Sequence, residues 1–445
     1  MKAFLIAAMQ SGAGKTVMSC TLMAALKRKG LRMEAFKCGP DYIDPMFHSR
    51  VLRIPGRNLD LFLQGEKRTR ESFASSAADI AVVEGAMGYY DGLGGSAQYS
   101  AWDLADRLGL PCFLVLRPKG VGLTLAAQVQ GMQRFREKSR IAGLILNDCT
   151  ERSAAMLKPI LEQACEIPVL GFLPPLEEAK IESRHLGLLT AGEIDDLAER
   201  FERIAEQAET NIDLDLLLSL SAEKKTVTKQ TPAAEPLCRI AAAKDEAFCF
   251  CYEDGLDALR QAGADLQFFS PLRDSAIPED CRGLILCGGY PELYAKALSK
   301  NSAMRSCIRA AVNAGMPTLA ECGGFLYLQD ELEDTEGQFW PMCGALPGQG
   351  FRTGHPVRFG YLKLKAEEDS LLFRSGEEVP AHEFHYWDST VCGSALQAVK
   401  NDGKNWRCGT VNAKLYAAFP HLHLGGELPL AERFVKACAN YERSQ

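Results

Sequence analysis

The sequence predicts an α/β protein of two domains in series, the first a doubly wound parallel sheet built around a phosphate-binding loop. Three observations carry that expectation. Short apolar runs alternate with helical stretches through residues 1–190. A glycine-rich loop stands between the first run and the first helical stretch. A second α/β alternation begins after a polar break at 217–237.

The apolar runs expected as strands of the first domain are Ala3–Met9, Met33–Lys37, Ile80–Glu84, Cys112–Leu116, Ile141–Asn147 and Val169–Leu173. The stretches between them, such as Thr16–Lys29, are long enough for helical crossovers, which favours parallel pairing. Gly30 is placed to end the first helix in a left-handed cap. The stretch SLSAEKKTVTKQTPAAEPL lacks apolar periodicity and reads as a linker, giving domains 1–216 and 238–445 with 217–237 between them. The second domain opens with strands at Arg239–Ala243, Leu266–Phe269 and Leu284–Cys287, and a helix at Gly255–Ala262.

With 445 residues, 47% of them apolar, the chain can bury more than one core. A net charge of −7 argues against a nucleic-acid or anionic-membrane partner, which would need a basic surface. No apolar run approaches the length of a membrane span. The first residues read as a strand entering a glycine-rich turn and not as a secretion signal, so the expected compartment is the cytoplasm. The sixteen cysteines are scattered without a C-x-x-C spacing and are read mostly as small buried apolar groups. The oligomeric state is not written in the sequence; a homodimer is the expectation.

The run from Ala8 to Thr16, AMQSGAGKT, has the chemistry of a phosphate loop. Ser11, Gly12 and Gly14 let backbone N–H groups wrap a phosphate, Lys15 neutralises its oxygens, and Thr16 offers a hydroxyl to Mg²⁺. Met9 stands where the usual pattern has its first glycine, so the loop is a variant. Mg²⁺ takes oxygen ligands, and Glu84 ends a strand at the carboxyl edge of the sheet, where such folds bind their ligands. Asp41 and Asp44 in GPDYIDP follow another strand end, and Asp91 lies in GAMGYYDGLGG. Singly each aspartate is a common turn residue; four carboxylates beside one phosphate loop point to a functional cluster serving Mg²⁺ and nucleotide. Lys37, Arg50, Arg53 and Arg57 cluster near GPDYIDP and are candidates for local positive charge, a solvated basic face being the other reading of any one.

In the second domain Cys322 follows the short apolar run Thr318–Ala320 and precedes a helix-like FLYLQDEL. A strand-to-helix turn of that kind presents a nucleophilic thiol. Amide attack also requires a base and an oxyanion site. His421 and His423 are the candidate bases, and Gly289 and Gly323 the candidate oxyanion donors. The residues do not decide between the two histidines, and no third group orienting the base is evident. His382-Glu383-Phe384-His385 is one residue short of the zinc-protease spacing and is set aside.

These segments together resemble the cobyrinate a,c-diamide synthases, including the hydrogenobyrinate a,c-diamide synthases. The resemblance runs nearly the whole length, through SGAGKT, KCGPDYIDP, RNLD, VVEGAMGYYDG, GLILN, ESRHLGL, KDEAFCF, FFSPL, CGGYPELY, AECGGFLYL, HEFHY and HLH. It implies a dethiobiotin-synthetase-like ATP domain joined to a class I, triad-type glutamine amidotransferase domain. It further implies phosphorylation of two acetate side chains of a corrinoid by Mg-ATP, each acyl phosphate then being aminolysed by ammonia from glutamine. On matching positions Cys322 would be the nucleophile and His421 the base, with Lys15, Thr16 and Glu84 serving Mg-ATP. Asp41, Tyr42, Asp44 and Asp91 would surround the tetrapyrrole carboxylate or its metal. The chain departs from the pattern at CGGYPEL, at Phe419-Pro420, and at His423, where many related glutaminases carry the triad's glutamate. Relatives that amidate nickel-sirohydrochlorin or sirohaem share these motifs, as does cobyric acid synthase in part. A regulatory phosphate-loop ATPase is the reading from a different class; it would carry a lysine at position 11 and no glutaminase.

Overall fold

In a computed structural model, residues 1–176, 191–226 and 235–442 are described, and they divide into two compact units. One comprises Met1–Leu61 with Gly65–Lys229, the other Phe62–Gln64 with Gln230–Gln445. The ESRHLGL segment, 182–188, lies outside the described residues.

The first unit is organised by β1 (Lys2–Ala8), α1 (Lys15–Arg28), β2 (Met33–Cys38), α2 (Ile43–Arg50), β3 (Gly56–Leu59), α3 (Glu66–Ala74), β4 (Ile80–Glu84), α4 (Ala101–Leu108), β5 (Cys112–Leu116), α5 (Thr124–Arg134), β6 (Ile141–Leu146), α6 (Glu151–Cys165) and β7 (Val169–Phe172). The strands pair in the order β3-β2-β4-β1-β5-β6-β7, all parallel. From Ala3 to Ala8 every side chain of β1 is buried. Phe4, Ile6 and Ala8 pack with Met18 and Leu22 of α1, while Leu5 and Ala7 pack with Leu104, Leu125 and Val129 on the other face. Two covered faces explain why these strands read as unbroken apolar runs and not as alternation.

Helix α1 ends as expected: Gly30 has φ 83° and donates its N–H to Lys27 O. The strand β3, sequence GRNL, was not anticipated; it is too short and polar to signal itself, and holds its place by pairing its Gly56 with Ala35 of β2. The segment expected as linker carries more structure than its composition suggests. Leu217 to Leu220 complete α8 (Leu214–Leu220), which follows α7 (Ala191–Asn211), and β8 (Ala222–Glu223) runs antiparallel to β1.

The second unit begins with β9 (Cys238–Ala243), β10 (Phe248–Phe250), α9 (Glu253–Gln261), β11 (Ala264–Phe269), β12 (Cys281–Leu286), β13 (Gly288–Gly289), α10 (Ala295–Lys300), α11 (Ser302–Asn313), β14 (Thr318–Glu321) and α12 (Gly323–Leu328). Its main sheet runs β11-β9-β12-β14, then Leu415–Ala418 in parallel and Thr410–Val411 antiparallel at the edge. A five-stranded antiparallel sheet contains Phe359–Ala366, Glu378–Phe384 and, at its edge, His421–Leu422. No helix among the described residues is long and apolar enough to cross a membrane.

Candidate active site

In the first unit the parallel register gathers the functional candidates. Ile6 of β1 and Lys37 of β2 both lie level with Glu84 at the end of β4, so the loop after β1 and the carboxyl ends of β2 and β4 meet at one edge. This edge, where the strand order reverses, is where open α/β sheets bind ligands.

The phosphate loop is shaped by Gly12 and Gly14, with φ 78° and 90°. At position 14 a side chain is also excluded by space, since a Cβ would lie 2.1 Å from Asn147 Nδ2. That amide donates to Ala13 O at 3.1 Å and props the loop from the end of β6. Lys15 Nζ donates to Met87 O at 2.6 Å and to Gln10 O at 3.2 Å, curling inside the loop. Burial and the nearby Lys37 lower its pKa, against the pull of Glu84, Asp44 and Asp91.

Behind the loop lies a buried ionic cluster. Glu84 accepts from Thr16 Oγ1 at 2.6 Å and Lys37 Nζ at 2.9 Å on one oxygen, and meets His48 Nε2 at 3.2 Å on the other. Lys37 also reaches Asp44 at 2.5 Å and Asp41 at 4.0 Å. Burial pushes the Glu84 carboxyl up, but Lys37, His48 and Thr16 outweigh it and hold the group below its usual range. Asp44 is driven well above its usual range by burial and by the charge of Glu84. Burial would lower the Lys37 ammonium; Glu84, Asp44 and Asp41 overcome this and raise it. The two carboxyls around one ammonium are therefore shifted in opposite directions, Glu84 down and Asp44 up.

Asp41 accepts the N–H groups of Ile43 and Asp44 and so starts α2, for which Tyr42 is the N-cap residue. Asp91 accepts the Gly88 N–H at 2.9 Å and closes the turn after β4. Three of the four expected basic residues have different surroundings. Lys37 turns inward because the buried carboxylates need a counterion, and Arg57 pairs with Glu34 at 3.1 Å. Arg53 is exposed, with φ 53°. His48 and Asn147 were missed in the sequence, being single polar residues inside apolar patterns.

Among the described residues, the Thr16 hydroxyl, Glu84 and Asp44 are oxygen donors that Mg²⁺ could use. That is a hard, sparse set of the kind Mg²⁺ uses when phosphate and water complete its shell. The neutralising ammonium already shared by Glu84 and Asp44 marks the cluster as a place for positive charge.

In the second unit Cys322 occupies the turn between β14 and α12 with φ 48° and ψ −106°, a conformation rare for any residue with a Cβ. Strain of this kind is characteristic of a nucleophile turn. The backbone is held by Cys322 N–H to Ala418 O at 2.8 Å and Leu326 N–H to Cys322 O at 3.0 Å. The thiol is mostly buried, at 7% exposure, and reaches His421. His421 is carried in by the edge strand, opposite His382, and its Nδ1 is 3.5 Å from Glu321 Oε2. Burial would lower its pKa, but Cys322 and Glu321 reverse that and hold the imidazolium up to about 10. A Cβ on Gly288 would lie 2.5 Å from His421 Cε1, so the ring closes over bare backbone. Gly289 N is 3.2 Å from where a Gly323 Cβ would stand, which brings the two expected oxyanion donors side by side.

The two histidines have different surroundings. His423 stacks on Tyr252, ring centroids 4.8 Å apart. Burial pulls it down to about 4, so it is neutral. Within HEFHY, His385 hydrogen-bonds Glu383 at 2.7 Å and stacks on Phe419, while Phe384 and Tyr386 are exposed.

Residues 4–189 match the CobQ/CobB/MinD/ParA nucleotide binding domain, and residues 239–428 match the CobB/CobQ-like glutamine amidotransferase domain. The cobyrinate a,c-diamide synthase of Clostridium tetani is 37% identical over 98% of this chain and 99% of its own length. The chain belongs to the cobyrinate a,c-diamide synthase family. The synthases of Salmonella typhimurium and a Synechococcus strain are 37% and 38% identical, each over 98% of both chains. Among solved structures, PurLQS of Thermotoga maritima has 20% identity over 46% of this chain and 98% of its own, at a TM-score of 0.33, too low to support an argument. As a member of this family the chain is a glutamine-dependent ligase with a nucleotide-binding domain, which removes the regulatory ATPase as a reading.

Proposed function

We propose that the chain amidates the a and c acetate carboxylates of cobyrinate or hydrogenobyrinate, using ATP and glutamine, in cobalamin biosynthesis. The observation that carries this reading is the coexistence, in one chain, of a strained Cys322 set against His421 and a phosphate loop backed by Glu84.

A carboxylate resists ammonia until one of its oxygens becomes a leaving group. Transfer of the terminal phosphoryl of ATP to that oxygen gives an acyl phosphate. Lys15 and the N–H groups of Ser11, Gly12 and Gly14 would hold the phosphates. Thr16, Glu84 and Asp44 would hold Mg²⁺, which neutralises phosphate charge when bound. Asp41, Tyr42 and Asp91 would border the tetrapyrrole. At the second centre the Cys322 sulfur attacks the glutamine amide carbon while Gly289 and Gly323 N–H groups receive the oxyanion. His421 passes the thiol proton to the departing nitrogen, releasing ammonia and leaving a glutamyl thioester for water to hydrolyse. Ammonia then attacks the acyl phosphate carbon and phosphate leaves.

The test is mass spectrometry of products from cobyrinate, hydrogenobyrinate and nickel-sirohydrochlorin, each with Mg-ATP and glutamine. Two successive amidations of a cobyrinate-type substrate are expected. Turnover of nickel-sirohydrochlorin alone would reassign the substrate while keeping the reaction.

A further inference from the structure

We propose that Glu321, the residue immediately before the nucleophile, is the positioning residue that orients and charges His421, in the role related glutaminases give to an acid two residues beyond the histidine. The proposal rests on the glutaminase reading of Cys322 and His421. Glu321 ends β14 and is buried, at 6% exposure. One carboxylate oxygen is tied down by the backbone N–H of Leu422 at 2.9 Å, the residue after His421. The other faces His421 Nδ1 at 3.5 Å. Such contacts are commonly long in unliganded enzymes and tighten on binding. Neighbours on a straight strand point to opposite faces; the reversal at Cys322 lets two adjacent side chains meet one imidazole.

The position expected to supply the acid cannot do so. His423 lies against Tyr252, and both its ring nitrogens lack a hydrogen-bond partner among the described residues. The charged and titratable groups that face His421 are Cys322, Glu321 and, across the strand pair, His382, which burial, His421 and Lys400 push down to about 3. Cys287 and Tyr416 face the Glu321 side. Glu321 is thus the group in this set, apart from the thiol itself, that favours the imidazolium. The sign follows: the charged imidazolium is present below its raised pKa and lost as pH rises through it, so removing Glu321 lowers the pH at which it is lost.

The experiment is a pH series of steady-state glutaminase kinetics on the full chain carrying Glu321→Gln, Glu321→Asp or His423→Gln. Glutamine at 321 can still accept the Leu422 N–H, so a purely structural role would survive. Glu321→Gln is expected to lower kcat about 100-fold with KM nearly unchanged and to move the basic limb of kcat/KM to lower pH. Glu321→Asp should restore part of both, His423→Gln should keep the wild-type limb, and ammonia-driven amidation should persist in all three. A basic limb unmoved in Glu321→Gln overturns the proposal, as does the same shift appearing in His423→Gln. If the glutamine variant fails to fold, an unmoved limb in Glu321→Asp overturns it instead. Failure of the glutaminase reading itself would appear separately, as glutamine-driven turnover surviving Cys322→Ala.

Discussion

A carboxylate cut off from water has to be satisfied by protein, and Glu84 is satisfied three times over. Thr16, Lys37 and His48 all reach it, and it is 1% exposed. Neutralising it leaves Lys37 with Asp44, 2.5 Å away, which loses the neighbouring negative charge that had favoured its proton and so takes over part of the pairing. Breaking a buried ion pair from one side typically costs 3–5 kcal/mol. Glu84→Gln keeps a hydrogen-bond acceptor, so the expected loss is near the low end, about 3 kcal/mol. Urea unfolding of the variant should show a lower midpoint at constant slope. ATP-dependent amidation should be lost while glutaminase turnover persists; loss of the glutaminase alone would place Glu84 outside the phosphate centre.

At the scale of elements, the β14–α12 turn works only because its neighbours leave room. His421 arrives on an edge strand and closes over Gly288, at the start of β13. Gly288→Ala puts a methyl 2.5 Å from His421 Cε1, so the ring must move. Overpacking of this kind costs roughly 1–3 kcal/mol, and the imidazole would leave the thiol. Thermal unfolding should remain cooperative, ammonia-driven amidation should persist, and glutaminase activity should fall; wild-type glutaminase turnover would remove Gly288 from the site. The elements that announce themselves in the sequence are those buried on both faces. KAFLIAA and IAVVE have one signal, continuous apolarity, and the phosphate loop has another, glycine before lysine. GRNL, the antiparallel strands from Phe359 to Cys408 and the edge strand His421–Leu422 have neither. Their strandhood comes from pairing, across a short turn for Leu396–Val399 with Asn405–Cys408 and across a long stretch of chain for His421–Leu422 with Ala381 and His382. Glu321 was missed for a related reason: as one polar residue at the end of an apolar run it looks like a strand terminus, and only the reversal at Cys322 turns it toward the imidazole.

At the scale of the molecule, the proposed reading gives each compact unit its own chemistry, with ammonia as the link between them. Lys15, Thr16 and Glu84 belong to the first, Cys322 and His421 to the second, and no side chain is shared between the two lists. Activation of a carboxylate by phosphate does not need the thiol, and release of ammonia does not need ATP. Cys322→Ala should therefore abolish glutamine-driven amidation and leave amidation from added ammonium salt near the wild-type rate. Lys15→Ala should abolish amidation from both nitrogen sources, because without the acyl phosphate no nucleophile helps. The two variants assayed side by side, with product followed by mass spectrometry, form a crossed test. Loss of ammonia-driven turnover in a well-folded Cys322→Ala would mean the thiol also serves the first centre. Substantial turnover in Lys15→Ala would mean the carboxylate is activated without this loop, and the division of labour between the units would have to be abandoned.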